Sequence, residues 1–222
     1  MKCYEIIFEV LNNIETQEGD GDPSPSLQRL RQQTYELVYS SDDELFHQAL
    51  YDWYISRGQH ERLLDLQTPY IQAYLEHQSS SSVFMANLLW QFHAKNANYH
   101  EAARVLYNLA NSSFPISLEE RIEYLSRAKS LCSVRVDPGL RNALNEMATM
   151  IQDALDVANI QDDIIRAVKE DGRMADFKRT ELLKALDGKI LPLTTVLRFF
   201  FSLAYESYLM TTRIHLGISR RV

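Results

Sequence analysis

The chain has 222 residues, 45 % apolar and 24 % charged, which is the balance of a folded soluble protein and excludes wholesale disorder. Only 7 Gly and 6 Pro interrupt it, so long helices are favoured over many short strands. The net charge of −7 argues against a general nucleic-acid binder, because phosphate neutralisation needs a Lys/Arg surplus; the terminal Arg220-Arg221 pair is too small to supply one.

Tyr4 to Ile14 reads as a short amphipathic helix, with Ile7, Val10, Leu11 and Ile14 on one side. The terminus MKCYEIIFEV carries acids within its apolar run, which is not a signal-peptide pattern. Thr16 to Ser26, TQEGDGDPSPS, is acidic and rich in breakers and is expected to be a mobile loop. Its Ser-Pro pair fits a solvated loop first and a phosphorylation-regulated linker second. The domain reading is a helix over 1–15, an acidic flexible loop over 16–26 and a helical solenoid over 27–222.

Ser26 to Tyr39 is a second helix, with Leu27, Leu30, Thr34 or Tyr35, and Val38 near helical spacing. The stretch Asp42 to Leu75 predicts a helix, a tight turn, a short helix and a third helix. Leu45, Phe46, Ala49, Leu50, Trp53 and Tyr54 form one broad apolar stripe at helical period. Ser41 with Glu44 has capping-box spacing, Gly58 after Arg57 suits a helix end, and Thr68-Pro69 supplies an N-cap and a first-turn proline.

Beyond a Ser79–Ser82 loop, Val83 to Lys95 is the next helix, with Phe84, Met85, Leu88, Leu89 and Phe92 apolar. Asn98 and Glu101 are placed to cap another, whose face is Tyr99, Ala102, Ala103, Leu106, Leu109 and Ala110. Its alanines let a neighbouring backbone come close, as antiparallel helix pairs require. After Pro115, Ser117 and Glu120 form a second capping-box signature, ahead of Leu118, Ile122, Leu125, Ala128 and Cys132.

Leu140 to Lys169 reads as one long helix. Its first stripe, Leu140, Leu144, Met147, Ile151, Ala154 and Ala158, is rotated from a second one, Val157, Ile160, Ile164 and Val168. Such a helix meets different neighbours at its two ends or kinks between them. Arg173 to Leu186 is a further helix, stopped by Asp187-Gly188. Pro192 opens the last, to about Met210; its consecutive Phe199, Phe200 and Phe201 predict burial on several sides. The tail MTTRIHLGISRRV resembles neither a cap nor a finished element, as if the solenoid were truncated, and its open end is expected to favour self-association.

Candidate chemistry is thin. The cysteines, Cys3 and Cys132, sit in helical patterns and imply a reducing compartment rather than a disulfide framework. The six histidines, His47, His60, His77, His93, His100 and His215, include no His-x-x-x-His pair, and no Cys-x-x-Cys occurs, so no metal site is assigned. No nucleophile elbow, P-loop or dinucleotide fingerprint is present. Asp42-Asp43, Glu119-Glu120 and Asp162-Asp163 are adjacent carboxylates, and the first two pairs suit helix N-termini better than acid–base work. Trp53 and Trp90 read as core residues at helix contacts rather than partner anchors. They stand 37 residues apart, each before a polar turn and a helix, a degenerate echo of helix-pair repeats.

One ordered set of residues carries a family likeness. Leu45-Phe46-His47, Leu50-Tyr51-Asp52-Trp53, Leu63-Leu64, Thr68-Pro69-Tyr70-Ile71 and Tyr74-Leu75 resemble the C-terminal domain of the large inner-ring scaffold nucleoporins, the non-repetitive 155-kDa nucleoporin family. The likeness continues through Leu88-Leu89-Trp90, Tyr99, Ala102-Ala103, Val105-Leu106, Leu109-Ala110, Ile116-Ser117-Leu118, Arg121, Glu123-Tyr124 and Ser126-Arg127-Ala128. It thins beyond Leu140 to Ile160-Gln161 and the Leu186-Asp187 region.

The resemblance implies an all-α solenoid of stacked antiparallel helix pairs in the nuclear pore complex of the nuclear envelope. It implies a structural scaffold with no catalytic residues and no cofactor. The expected partners are other nucleoporins, adaptors and linkers of the inner ring, with no direct nucleic acid and no membrane insertion. No partner-contact residue is assigned. The rival readings are a tetratricopeptide-like adaptor, which needs a strict 34-residue period, and a helical enzyme, which needs a polar cluster inside a pocket.

Overall fold

The computed structural model describes residues 2–16, 25–135, 138–172 and 174–202. Among these residues every regular element is an α-helix. The chain divides into two compact units, Met1–Lys95 and Asn96–Val222. The acidic stretch between the first two helices, His215 and the tail from 203 onward lie outside the described residues, as do the side chains of Cys3 and Leu27.

The first unit holds α1 (Lys2–Thr16), α2 (Pro25–Tyr39), α3 (Glu44–Ser56), α4 (His60–Asp65), α5 (Ile71–Gln78) and α6 (Val83–Lys95). α1 lies on α3 through aromatic contacts: Phe8 stacks on Phe46 at 6.1 Å and on Trp53 at 5.7 Å, and Leu11 is fully buried. α5 and α6 form a helical hairpin across the Ser79–Ser82 turn, where Ser82 Oγ accepts from the Met85 amide at 3.2 Å. The predicted end of α3 forms as expected, with Arg57 as C-cap and Gly58 at φ +71°, a conformation in which a Cβ is strained.

Four local expectations in this unit are corrected. The N-cap of α3 is Asp43, whose carboxylate accepts from the Phe46 amide; Ser41 Oγ instead accepts from the Asp43 amide, so the Ser41–Glu44 box does not form. Thr68 does not cap α5, because its hydroxyl is drawn inward to Tyr51 and the helix starts two residues after Pro69. Leu45 is 68 % exposed, and the buried face of α3 includes His47 and Tyr51: His47 Nε2 reaches the Ser41 carbonyl and the Tyr51 hydroxyl bonds Thr68, while His47 Nδ1 has no hydrogen-bond partner among the described residues. Trp53 and Trp90 are half-buried rather than core.

The second unit holds α7 (Tyr99–Ala110), α8 (Leu118–Cys132), α9 (Pro138–Glu170), α10 (Asp176–Leu186) and a helical stretch over 193–202. α7 and α8 form a hairpin on Ala102, Ala103, Leu106, Leu109 and Ala110, so the small-residue face meets its neighbour as predicted. The Ser117–Glu120 capping box is complete, with both reciprocal bonds made. Asn98, by contrast, makes no side-chain cap, and Glu101 turns to His100 and Arg104.

α9 runs uninterrupted for 33 residues. Of the residues in its two predicted stripes, Leu140 and Ile160 are exposed. Ala158, Ile164, Ile165 and Val168 pack with Leu118 of α8, Leu186 of α10 and Val196 of the next helix. α10 starts at Asp176, and Arg179 donates to the Asp171 and Met174 carbonyls of the connector before it; the predicted start, Arg173, lies outside the described residues. The triple phenylalanine is not buried on several sides: Phe199 packs on the core, while Phe200 and Phe201 are exposed. The echo of Trp53 and Trp90 does not mark equal repeats, since α4 has 6 residues and α7 has 12.

Candidate protein-binding surfaces

The groups that suggested chemistry in the sequence do structural work. Asp43 caps α3 and accepts from the Tyr4 hydroxyl at 2.5 Å, and that bond, with the Phe46 amide, holds its carboxyl below the ordinary range. Glu120 is held low in the same way by Ser117. Asp162 and Asp163 both accept from Arg166, at 3.0 and 2.9 Å. Burial pushes the Cys132 thiol up, away from nucleophilic character. His47 is fully buried with Nε2 2.7 Å from the Ser41 carbonyl, and His60 stands edge-on to Phe84 at 5.0 Å. Among the described residues no three His, Cys, Asp or Glu side chains are grouped to hold a metal ion, and no helix is long and apolar enough to cross a membrane.

What the sequence reading missed is a set of buried polar side chains aimed at turns. Arg121 is 1 % exposed, yet among the described residues no carboxylate pairs directly with its guanidinium. Its Nη1 donates to the Ala110 and Ser112 carbonyls at 2.6 and 2.9 Å, its Nη2 to Phe114 at 2.8 Å and its Nε to Gly188 at 2.7 Å. The first of these carbonyls ends α7, where the helix dipole favours a cation. Burial lowers the Arg121 pKa, while Glu120 and Asp187 oppose that shift through charge.

Gln161 is fully buried and joins the turn after α10: its amide donates to the Leu186 and Lys189 carbonyls, and its Oε1 accepts from the Leu191 amide at 2.9 Å. In the first unit the Tyr51 and Thr68 hydroxyls bond each other, and Tyr74 donates to Asp52 at 2.5 Å. Burial pushes Tyr51 up to about 12. A lone Arg or Gln on an apolar stripe was the available signal for the pins on α8 and α9, since buried polar groups survive only when bonded.

Two faces stand out among the described residues. In the first unit, one face of α2, from Gln28 through Gln32 and Tyr35 to Tyr39, lines an open cleft of about 620 Å³ floored by Tyr54 and Leu66. Tyr35 stacks on Tyr39 at 5.6 Å, and the hydroxyls of Tyr39 and Tyr54 are 2.8 Å apart. In the second unit, Leu193, Leu197, Phe200 and Phe201 are exposed and fall within about a 100° arc at 3.6 residues per turn, while Val196 and Phe199 take the buried side. Each is a helix face, concave or apolar, without a catalytic constellation.

The geometry agrees with what the chain is similar to. The sequence profile described as the non-repetitive/WGA-negative nucleoporin C-terminal family matches residues 1–212. A probable nucleoporin of Schizosaccharomyces pombe is 43 % identical over 193 residues, covering 87 % of this chain and 14 % of that protein. Nucleoporin NUP170 of Saccharomyces cerevisiae is 37 % identical over 198 residues, covering 85 % and 13 %. The chain thus spans about one seventh of the length of these relatives. Among solved structures, the Nup170 C-terminal domain of Chaetomium thermophilum in complex with Nup145N aligns with a TM-score of 0.82 at 34 % identity, covering 88 % of this chain and 38 % of that one. These matches, and a helical array whose buried polar groups pin turns rather than line a pocket, place the chain in the non-repetitive/WGA-negative nucleoporin C-terminal family.

Proposed function

We propose that this chain is a scaffold segment of the inner ring of the nuclear pore complex, holding other nucleoporins through its helix faces in support of nucleocytoplasmic transport at the nuclear envelope. It does so without catalysis, cofactor, nucleic acid or membrane insertion. Residues 27–222 act as the solenoid portion and residues 1–15 as a leading helix.

The observation that carries the reading is the 34 % identical overlay, at a TM-score of 0.82, on a C-terminal domain solved with Nup145N. A linear nucleoporin segment laid along a helix face would draw affinity from buried apolar and aromatic area. Titration calorimetry of the 222-residue chain with the Nup145N-type segment of the same organism tests this. Saturable one-to-one binding is expected; no heat and no co-migration with such segments would defeat the proposal for this portion of the scaffold. Membership of the nucleoporin family leaves the tetratricopeptide-type alternative without an observation in its favour.

A further inference from the structure

Residues 176–202 are attached to α8 and α9 unevenly. Within them only Leu186 and Val196 are fully buried, and Phe177 is 81 % exposed. Leu182, Leu183, Ile190, Leu191 and Phe199 reach the core only in part. The polar attachments gather at the turn after α10, where Gly188 takes φ +86°. Asp187 Oδ1 accepts from the Leu118 amide at 3.3 Å, Arg121 donates to Gly188, and Gln161 makes three bonds to the backbone of 186–191. The leading end is held locally, by Arg179 on Asp171, Met174 and Asp176.

The two main pins are not equivalent. If the turn withdraws, Arg121 keeps its three acceptors in the α7–α8 turn, so that turn stays formed. Gln161 loses all three hydrogen bonds it makes to that backbone and must exchange them for water. Withdrawal at one point therefore releases the helices on both sides of the turn. We propose that residues 176–202 form a strap that docks and undocks as one unit, latched by Gln161, over the apolar surface of Leu118, Ile164, Ile165 and Val168. Sub-global opening of this kind draws on regions with few buried apolar contacts and an exposed backbone.

Hydrogen exchange read by mass spectrometry on the 222-residue chain tests the proposal, with Gln161→Met as the variant because Met keeps the volume without the hydrogen bonds. Peptides within α10 and within 193–202 should exchange with one common opening constant, faster than peptides of α8. In the variant both should accelerate by the same factor, roughly tenfold to a hundredfold, with α8 unchanged. Unequal factors in the two peptides, equal acceleration of α8, or no change would overturn the strap. Should Gln161→Met lose its helical circular dichroism, Asp187→Ala replaces it, with the same pattern expected at a smaller factor. Independently, the wild-type chain must show equal protection in the two peptides, and unequal protection there overturns the proposal alone.

Discussion

Replacing Arg121 by Met tests whether this unit is held by a buried cation on carbonyls. The substitution keeps most of the stem volume and strands the carbonyls of Ala110, Ser112, Phe114 and Gly188. Two effects oppose each other. Losing a buried charge removes its desolvation penalty, the same penalty that lowers the Arg121 pKa. Against this, hydrogen bonds from a charged donor are worth about 1.5–3 kcal/mol each, and a stranded buried acceptor costs about 1–3 kcal/mol. Three of the four sites are only partly buried, so water can satisfy them; the Ala110 site is closed. The balance is a loss of about 3–5 kcal/mol, which for a chain of this size lowers Tm by roughly 6–20 °C. Arg121→Lys should fall between, because one ammonium cannot reproduce a planar fork over four carbonyls. Thermal melts by circular dichroism decide the matter. A Tm loss under about 3 °C for Arg121→Met, on the same size scaling, would show that relief of desolvation cancels the bonds and that the guanidinium is not a pin.

Other residues give smaller, separable effects. Tyr51 ionises at about 12 in the fold against 10.0 unperturbed, so its contribution is complete below pH 10 and disappears as pH rises toward 12. About 2–3 kcal/mol should be lost across that window, and Tyr51→Phe should remove that share of the loss in urea titrations at each pH. Glu120, held low by Ser117, contributes stability above the ordinary carboxyl value that is lost as pH falls through its depressed one; Glu120→Gln should flatten that part of the acid melting curve. Trp53 stacks on Phe8 and carries Arg57 over its ring at 5.0 Å, but is only half-buried, so Trp53→Ala should cost roughly 2 kcal/mol rather than the 3–5 of a core tryptophan, read from the urea midpoint.

Helices were legible wherever an apolar stripe and a local cap coincided. Val83–Lys95 was placed at both ends, and the Ser117–Glu120 box opened α8 as its spacing required. Two of the misses, Thr68 and Arg121, share one cause: the side chain was claimed by partners distant in sequence. Thr68 has the chemistry of an N-cap, but Tyr51, 17 residues away, takes its hydroxyl. Leu45 fits the period of α3, yet the face it shares has no neighbour there, while His47 and Tyr51 turn inward. Arg121 broke the stripe Leu118, Ile122, Leu125 without being read as a pin, since its four acceptors are main-chain atoms that leave no mark in composition or spacing.

Part of the family likeness falls on side chains of this kind. Tyr51, Asp52, Thr68, Tyr74, Arg121, Gln161 and Asp187 all fall in the stretches that carried the resemblance, and all hold turns or bridge helices. A stack of helices tolerates exchange of one apolar residue for another of similar volume, so apolar identity along a stripe is weakly constrained. A buried polar group is different, because its donors and acceptors must match fixed backbone atoms or the position loses a few kcal/mol. Polar pins at turns are thus positions where substitution is expected to cost most, beside the well-packed core. They keep the helix pairs in register at the turns, while outward positions such as Phe177 and Phe200 carry no such constraint.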